Sequence, residues 1–151
     1  MQLISIPRDG NARLSGIALP ETATSVIAST VQVYERLGYV EPWVGYLAVE
    51  KGNCVGACGF TSPPVEGVVE IAYFTFPDFE KRGHATRMAQ GLISIARESD
   101  PSVKIIAHTL MEENASAHIL KKLGFAFAGE VDHPEDGKIW EWCYQPKRNA
   151  A

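Results

Sequence analysis

The sequence predicts a mixed α/β fold: a mostly antiparallel sheet with one parallel pair, flanked by helices. Three observations carry this. A strand–turn–strand–loop–strand succession runs from Trp43 to Phe76. An amphipathic helix over Ala85–Glu98 then stands between two apolar runs, Val68–Phe76 and Lys104–Thr109, and a crossover helix of that kind joins parallel strands. Two further strands close the chain behind a second short helix.

The elements follow in order. Met1–Ile6 suits a short edge strand. Thr22–Leu37 reads as a helix, because Val26, Ile27, Val31, Tyr34 and Leu37 fall at helical spacing and Gly38 supplies a stop. Trp43–Val49 and Asn53–Phe60 are strands joined by the turn Lys51-Gly52-Asn53, and Val68–Phe76 is the third strand of this meander. The Ala85–Glu98 helix gathers Met88, Ala89, Leu92, Ile93 and Ala96 on one face, which must pack on a sheet. Asp100-Pro101 ends it, and Lys104–Thr109 is a strand. Asn114 caps a helix that runs to Leu123, where Gly124 terminates it. Phe127–Val131 and Ile139–Tyr144 are strands around the turn-rich Asp132–Gly137, and Pro146–Ala151 reads as a frayed tail.

The length of 151 residues suits a single domain with a sizeable core. A net charge of −4 disfavours nucleic acid as a partner, and no apolar run is long enough to span a membrane. The start lacks a secretory pattern, so a cytoplasmic location is expected. The cysteines Cys54, Cys58 and Cys143 have no metal-ligand spacing and suit small core positions in a reducing compartment. No metal is expected.

The most informative stretch is Val68–Ser94. A strand ends at Pro77, a polar loop with Gly83 follows, and a helix begins beside Lys81 and Arg82. Unpaired amides at a helix start, backed by the helix dipole and two cations, bind phosphate. Neither common nucleotide loop is present.

This loop, Arg82-Gly83-His84-Ala85, resembles the acetyl-CoA pyrophosphate loop of the GNAT N-acetyltransferases, with Glu80 in place of the family's usual Gln or Arg. His108–Glu130 resembles their second conserved region, with Asn114-Ala115-Ser116 followed by Leu120, Lys122, Leu123, Gly124 and Phe125. The spacing is similar to that of the ribosomal-protein N-terminal acetyltransferase branch. The resemblance covers roughly Trp43 to Tyr144. It implies acetyl-CoA as acyl donor, held by Phe74, Thr75 and Phe76 at the strand end, by Lys81, Arg82, Gly83, His84, Ala85 and Thr86 in the loop, and by Asn114. It implies direct acetyl transfer to a primary amine, either a protein N-terminus or a small molecule, by a monomer or homodimer. An acyl-CoA-binding module without turnover is the alternative.

Acyl transfer from a thioester needs a base for the amine, stabilisation of the carbonyl oxygen and release of the thiolate. Glu70 is the leading base. Alternation places it on one strand face with Ala72, Phe74 and Phe76, apolar neighbours that would desolvate it, although a solvated charge at a strand end is the plainer reading. The family's usual acid is a Tyr seven residues after the position of Asn114, and here that position is Lys121. Ser116, in the first turn of its helix, is the substitute acid or else a capping residue, with Tyr144 and Tyr73 behind it. His108 and Thr109 end the strand where the parallel pair should part, and His84 would touch phosphate when protonated. The first helix and the turns Thr61–Gly67 and Asp132–Lys138 should line the acceptor side, where Glu66, Asp132, Glu135 and Asp136 would suit a cationic amine.

Overall fold

The computed structural model describes residues 1–12, 14 and 16–146; all but Pro146 of the expected C-terminal tail lies outside them. Among these residues the chain forms β1 (Gln2–Ser5), α1 (Glu21–Leu37), β2 (Gly45–Glu50), β3 (Asn53–Phe60), β4 (Val68–Thr75), a 3-10 turn (Pro77–Phe79), α2 (His84–Ser99), β5 (Lys104–Thr109), α3 (Ala115–Leu123), β6 (Phe125–His133) and β7 (Gly137–Tyr144). The strands make one sheet in the order β1-β2-β3-β4-β5-β7-β6. Every neighbouring pair is antiparallel except β4 and β5. This is the mixed sheet expected, with α2 as its crossover.

Local chemistry explains the boundaries. The β2–β3 hairpin turns on Lys51 and Gly52, both at positive φ (49° and 81°), as a two-residue turn matching the strand twist requires. β2 starts later than expected because Trp43 and Val44 are tied into a turn, their amides donating to Val40 and Pro42. β6 and β7 run longer than expected. Asp132 pairs with Lys138 and His133 with Gly137, so the hairpin loop is only Pro134–Asp136.

Alternation fixes two faces. Val69 and Ile71 on β4 are buried beneath α2, whose Met88, Ala89, Leu92, Ile93 and Ala96 are also buried, and Ile105 and Ala107 on β5 are buried on the same face. The opposite face carries Glu70, Ala72 and Phe74 on β4 and Ala57 and Gly59 on β3, and α1 lies over it. Tyr34 pins α1 down: its hydroxyl donates to the Ile6 carbonyl (3.0 Å) and accepts from the Gly45 amide (2.8 Å).

Candidate active site

β4 and β5 pair only over Val68–Glu70 and Lys104–Ile106. Beyond that point β5 runs on beside β7, whereas β4 continues to Thr75 with a ladder to β3 alone. The two parallel strands therefore part at Glu70. Glu70 carbonyl accepts from Thr61 N–H (3.0 Å) and Phe76 N–H donates to Val55 carbonyl (2.9 Å), so the even-numbered residues spend their backbone groups on β3. The backbone groups of Ile71, Tyr73 and Thr75 consequently point towards the opening between β4 and β5. Thr75 is thus placed to meet an extended ligand through its main chain. Phe76 is not: its amide and carbonyl are both engaged, and its side chain is buried in the core against Phe74, with ring centroids 5.8 Å apart.

The loop after β4 turns sharply. Lys81 and Gly83 both adopt positive φ (64° and 77°), and Gly83 is the N-cap of α2 without a side chain to cap it. The first amides of a 16-residue helix, those of His84, Ala85 and Thr86, therefore start beside Lys81 and Arg82. The side chain of His84 does something unexpected. It is buried, and its Nδ1 accepts from Arg87 Nη2 (2.8 Å). Burial, and then the Arg87 guanidinium, hold its pKa below the ordinary imidazole value. The ring is a neutral support for the loop rather than the protonated phosphate contact expected of it. Arg87 also donates to the Arg82 carbonyl (3.0 Å) and stands 3.5 Å from Glu50, tying the loop to the β2–β3 hairpin.

Glu70 does not sit among apolar groups alone. His108, on β5, brings its Nδ1 to 3.0 Å from Glu70 Oε2, and Glu141, on β7, places Oε1 3.1 Å from His108 Nε2. The Nε2 contact is a directed hydrogen bond. The Nδ1 contact is short but out of line, so Nδ1 has no well-aligned partner among the described residues and the contact is an ion pair when the ring is charged. Glu70 raises the His108 pKa above its ordinary value, partial burial opposes it, and Glu141 adds to the rise. Thr61 Oγ1 approaches Glu70 Oε1 at 3.5 Å. The expected lone strand-end histidine is therefore the centre of a carboxylate–imidazole–carboxylate row at the point where the strands part.

Asn114 caps α3 as expected, its Oδ1 accepting from the Ala117 amide (2.9 Å). Its Nδ2 has only a distant contact with Glu112 (3.5 Å). With Asn114 in that role, Ser116 is not the cap; it lies half-buried at the second helical position. Lys121 is held outside by Glu113 (2.6 Å) with its ammonium over the Trp142 ring. Tyr73 is partly buried, and burial pushes its pKa up to about 12. Burial does the same to Cys58, so neither Cys58 nor Cys54, whose pKa is also raised, is a ready thiolate nucleophile.

A cleft of about 310 Å³ opens on the α1 side, between Val26, Thr30 and Val33 of the helix and the sheet from Gly45 to Phe74. Thr61 is on its rim, as expected of the loop that follows β3. Glu66, Asp132, Glu135 and Asp136 are not among its lining residues.

Residues 17–126 match the family model described as an acetyltransferase (GNAT) domain, well over half of the sequence. The chain belongs to the GNAT acetyltransferase family. It is 30% identical over 105 residues to an uncharacterized N-acetyltransferase, YjdG, of Bacillus subtilis strain 168, a match taking in 68% of this chain and 60% of that protein. The chain thus spans about three fifths of the length of the curated relative it matches. Among solved structures it resembles RimL, a ribosomal L7/L12 alpha-N-protein acetyltransferase in complex with coenzyme A (TM-score 0.63, 15% identity, 83% of this chain and 72% of that one). It also resembles yncA, a putative acetyltransferase from Salmonella typhimurium with its cofactor acetyl-CoA (0.61, 20%, 85% and 76%). A third is a spermidine N-acetyltransferase chimera from Vibrio cholerae and hSSAT (0.65, 12%, 95% and 95%). At these identities the likeness is one of fold.

Proposed function

We propose that this protein transfers an acetyl group from acetyl-CoA directly to a primary amine. The observation that carries the reading is the Glu70–His108–Glu141 row at the parting of β4 and β5. The surrounding residues fit the donor. The amides of His84–Thr86 with Lys81 and Arg82 suit the pyrophosphate. The open edge of β4 at Tyr73 and Thr75 and the side-chain amide of Asn114 suit the pantetheine arm. Acetyl-CoA supplies the activated acyl carbon.

The chain's part is proton handling and charge stabilisation. A bound ammonium must lose a proton before its nitrogen attacks. Glu70 takes that proton at its Thr61-side oxygen and shares it with His108. Two carboxylates around one imidazole give the row a stronger hold on a proton than a lone histidine has, which is what a base working near neutrality needs. As the C–N bond forms and the C–S bond breaks, the main-chain N–H groups on the free edge of β4 face the carbonyl oxygen. The departing thiolate takes a proton from Ser116, Tyr73, Tyr144 or solvent. Burial of Cys54 and Cys58 favours direct transfer over an acyl-enzyme route.

Both acceptor kinds occur among the fold's relatives, one named for a protein N-terminus and one for spermidine. The test is thiol release from acetyl-CoA with an amine panel, product mass and Glu70→Gln as control. Acetylated amine formed by the wild type and about a hundredfold less by Glu70→Gln is expected. Tight acetyl-CoA binding with no thiol release from any amine would make the chain a binding module instead.

A further inference from the structure

We infer that the acceptor is a primary amine with an apolar side group about the size of an aromatic ring, seated between α1 and the face of β2–β4; this rests on the transferase reading above. The cleft floor is bare. Gly45, Ala57, Gly59 and Ala72, on three adjacent strands, offer nothing beyond Cβ. Gly45 and Gly59 lie directly opposite one another. A Cβ on Gly45 would come within 2.8 Å of Thr30 Cγ2, and one on Gly59 within 2.8 Å of Gly45 Cα. The helix and strands there are as close as glycine permits, and the space next to them stays open only because Ala57 and Ala72 are small.

The walls are mostly apolar, and the hydroxyls of Thr30 and Tyr34 are already engaged. Thr30 Oγ1 donates to the Val26 carbonyl (2.8 Å), so the residue shows the cleft its methyl group. The Tyr34 hydroxyl is engaged on both sides. Val26 and Val33 form the roof, and the Phe74 ring, 48% exposed, stands at the wall. None of the described lining residues is charged. A hydrophilic acceptor such as a polyamine would give up water here without replacement partners, whereas an apolar group gains by the same desolvation. The carboxylate that faces the cleft from the sheet is Glu70, next along the same face from Ala72 and touched by the rim residue Thr61. The amine end therefore lies at Glu70 and the apolar end under α1. A volume of about 310 Å³ is at the small end of ligand sites and accommodates a ring.

The same side group reaches the cleft on a free alkyl or arylalkyl amine or as the first residue of a peptide. The test is kcat/KM for 2-phenylethylamine, isoamylamine, ethylamine, spermidine, and peptides beginning with Phe or Ser. Apolar acceptors should exceed spermidine and the Ser peptide by about tenfold or more, the scale at which apolar pockets discriminate. Preference for phenylethylamine over the Phe peptide assigns a free amine, and the reverse assigns an N-terminus. Ala72→Trp, at an exposed position, should lower kcat/KM for phenylethylamine about tenfold and for ethylamine far less. Val33→Lys, on the helix surface, should show the same selective loss. Spermidine or the Ser peptide as the best acceptor would overturn the inference, as would undiminished phenylethylamine turnover in both variants. Failure of every amine to be acetylated would overturn the transferase reading itself.

Discussion

Glu70 and His108 belong to neighbouring parallel strands that have just stopped pairing, yet their side chains meet at 3.0 Å, and Glu141 closes the row from the far side of His108. A charged imidazole in that position cannot take up the proton that Glu70 would draw from the amine. Activity should therefore rise with pH through the raised pKa of His108. His108→Gln should move that limb down in pH and lower kcat with little change in acetyl-CoA affinity. A kcat–pH profile for both proteins is the measurement, and identical limbs would remove His108 from the proton path.

The two buried-side histidines should act oppositely on stability. The folded pKa of His108 is raised, so the stability that Glu70 and Glu141 confer through it is fully present below the ordinary value of about 6.5 and is lost as pH rises through the folded value. The folded pKa of His84 is lowered, so its contribution is present above about 6.5 and is lost as pH falls towards the folded value. His108→Gln should flatten the alkaline side of the melting-temperature profile and His84→Gln the acid side. Thermal melts between about pH 5 and about pH 9 test both signs.

Gly83 occupies the left-handed region at φ 77° and opens α2 where the pyrophosphate is proposed to sit. Gly83→Val forces a β-branched residue into that region, costing about 1–2 kcal/mol, and covers the amides. An added Cβ would meet Arg87 Nη1 at 3.2 Å, a flexible group that can yield, so the protein should still fold. Calorimetry should show acetyl-CoA binding at least tenfold weaker. Unchanged affinity in a folded variant would move the phosphate site elsewhere.

Much of this was legible in the sequence because it is local. The crossover helix, the turn at Lys51-Gly52, the cap at Asn114 and the stop at Gly124 each rest on a few adjacent residues. The row at His108 was not legible, because it depends on the registers of β4, β5 and β7 together. Glu141 carries a faint signal, a carboxylate between Trp140 and Trp142 in the otherwise uncharged run Ile139–Tyr144. The insertion of β7 between β5 and β6 is likewise a tertiary choice that periodicity does not encode. The side-chain role of His84 is not legible at first sight, although Arg87 stands three residues on, one helical turn away, where the two side chains face each other. The acidic turns point to a cationic acceptor because charges are visible in a sequence, whereas the floor of small residues that motivates the apolar proposal is visible only once three strands are aligned.

Asn114 and Ser116 can be separated because the structure gives the cap to one of them. Asn114 Oδ1 takes the Ala117 amide, so Asn114→Ala should cost about 1 kcal/mol, lowering the melting temperature by about 2–4 °C. It should also weaken acetyl-CoA binding if Nδ2 meets the pantetheine arm. Ser116 has no capping bond to lose, so Ser116→Ala should change stability by less than about 0.5 kcal/mol. A fall in its turnover then reports chemistry rather than folding, and Ser116→Thr, which keeps the hydroxyl, should recover part of the rate. Lys121→Tyr adds a third measurement. Its ion pair with Glu113 is solvent-exposed and worth little, so the change is safe for the fold. If the chain lacks an efficient acid, a phenol in the last turn of α3 should raise turnover; if Ser116 already serves, it should leave turnover unchanged. Full activity in Ser116→Ala would exclude the serine and pass the proton to Tyr73, Tyr144 or solvent. Tyr73, its pKa pushed up to about 12 by burial, would donate reluctantly, and Tyr73→Phe would then be the variant that decides.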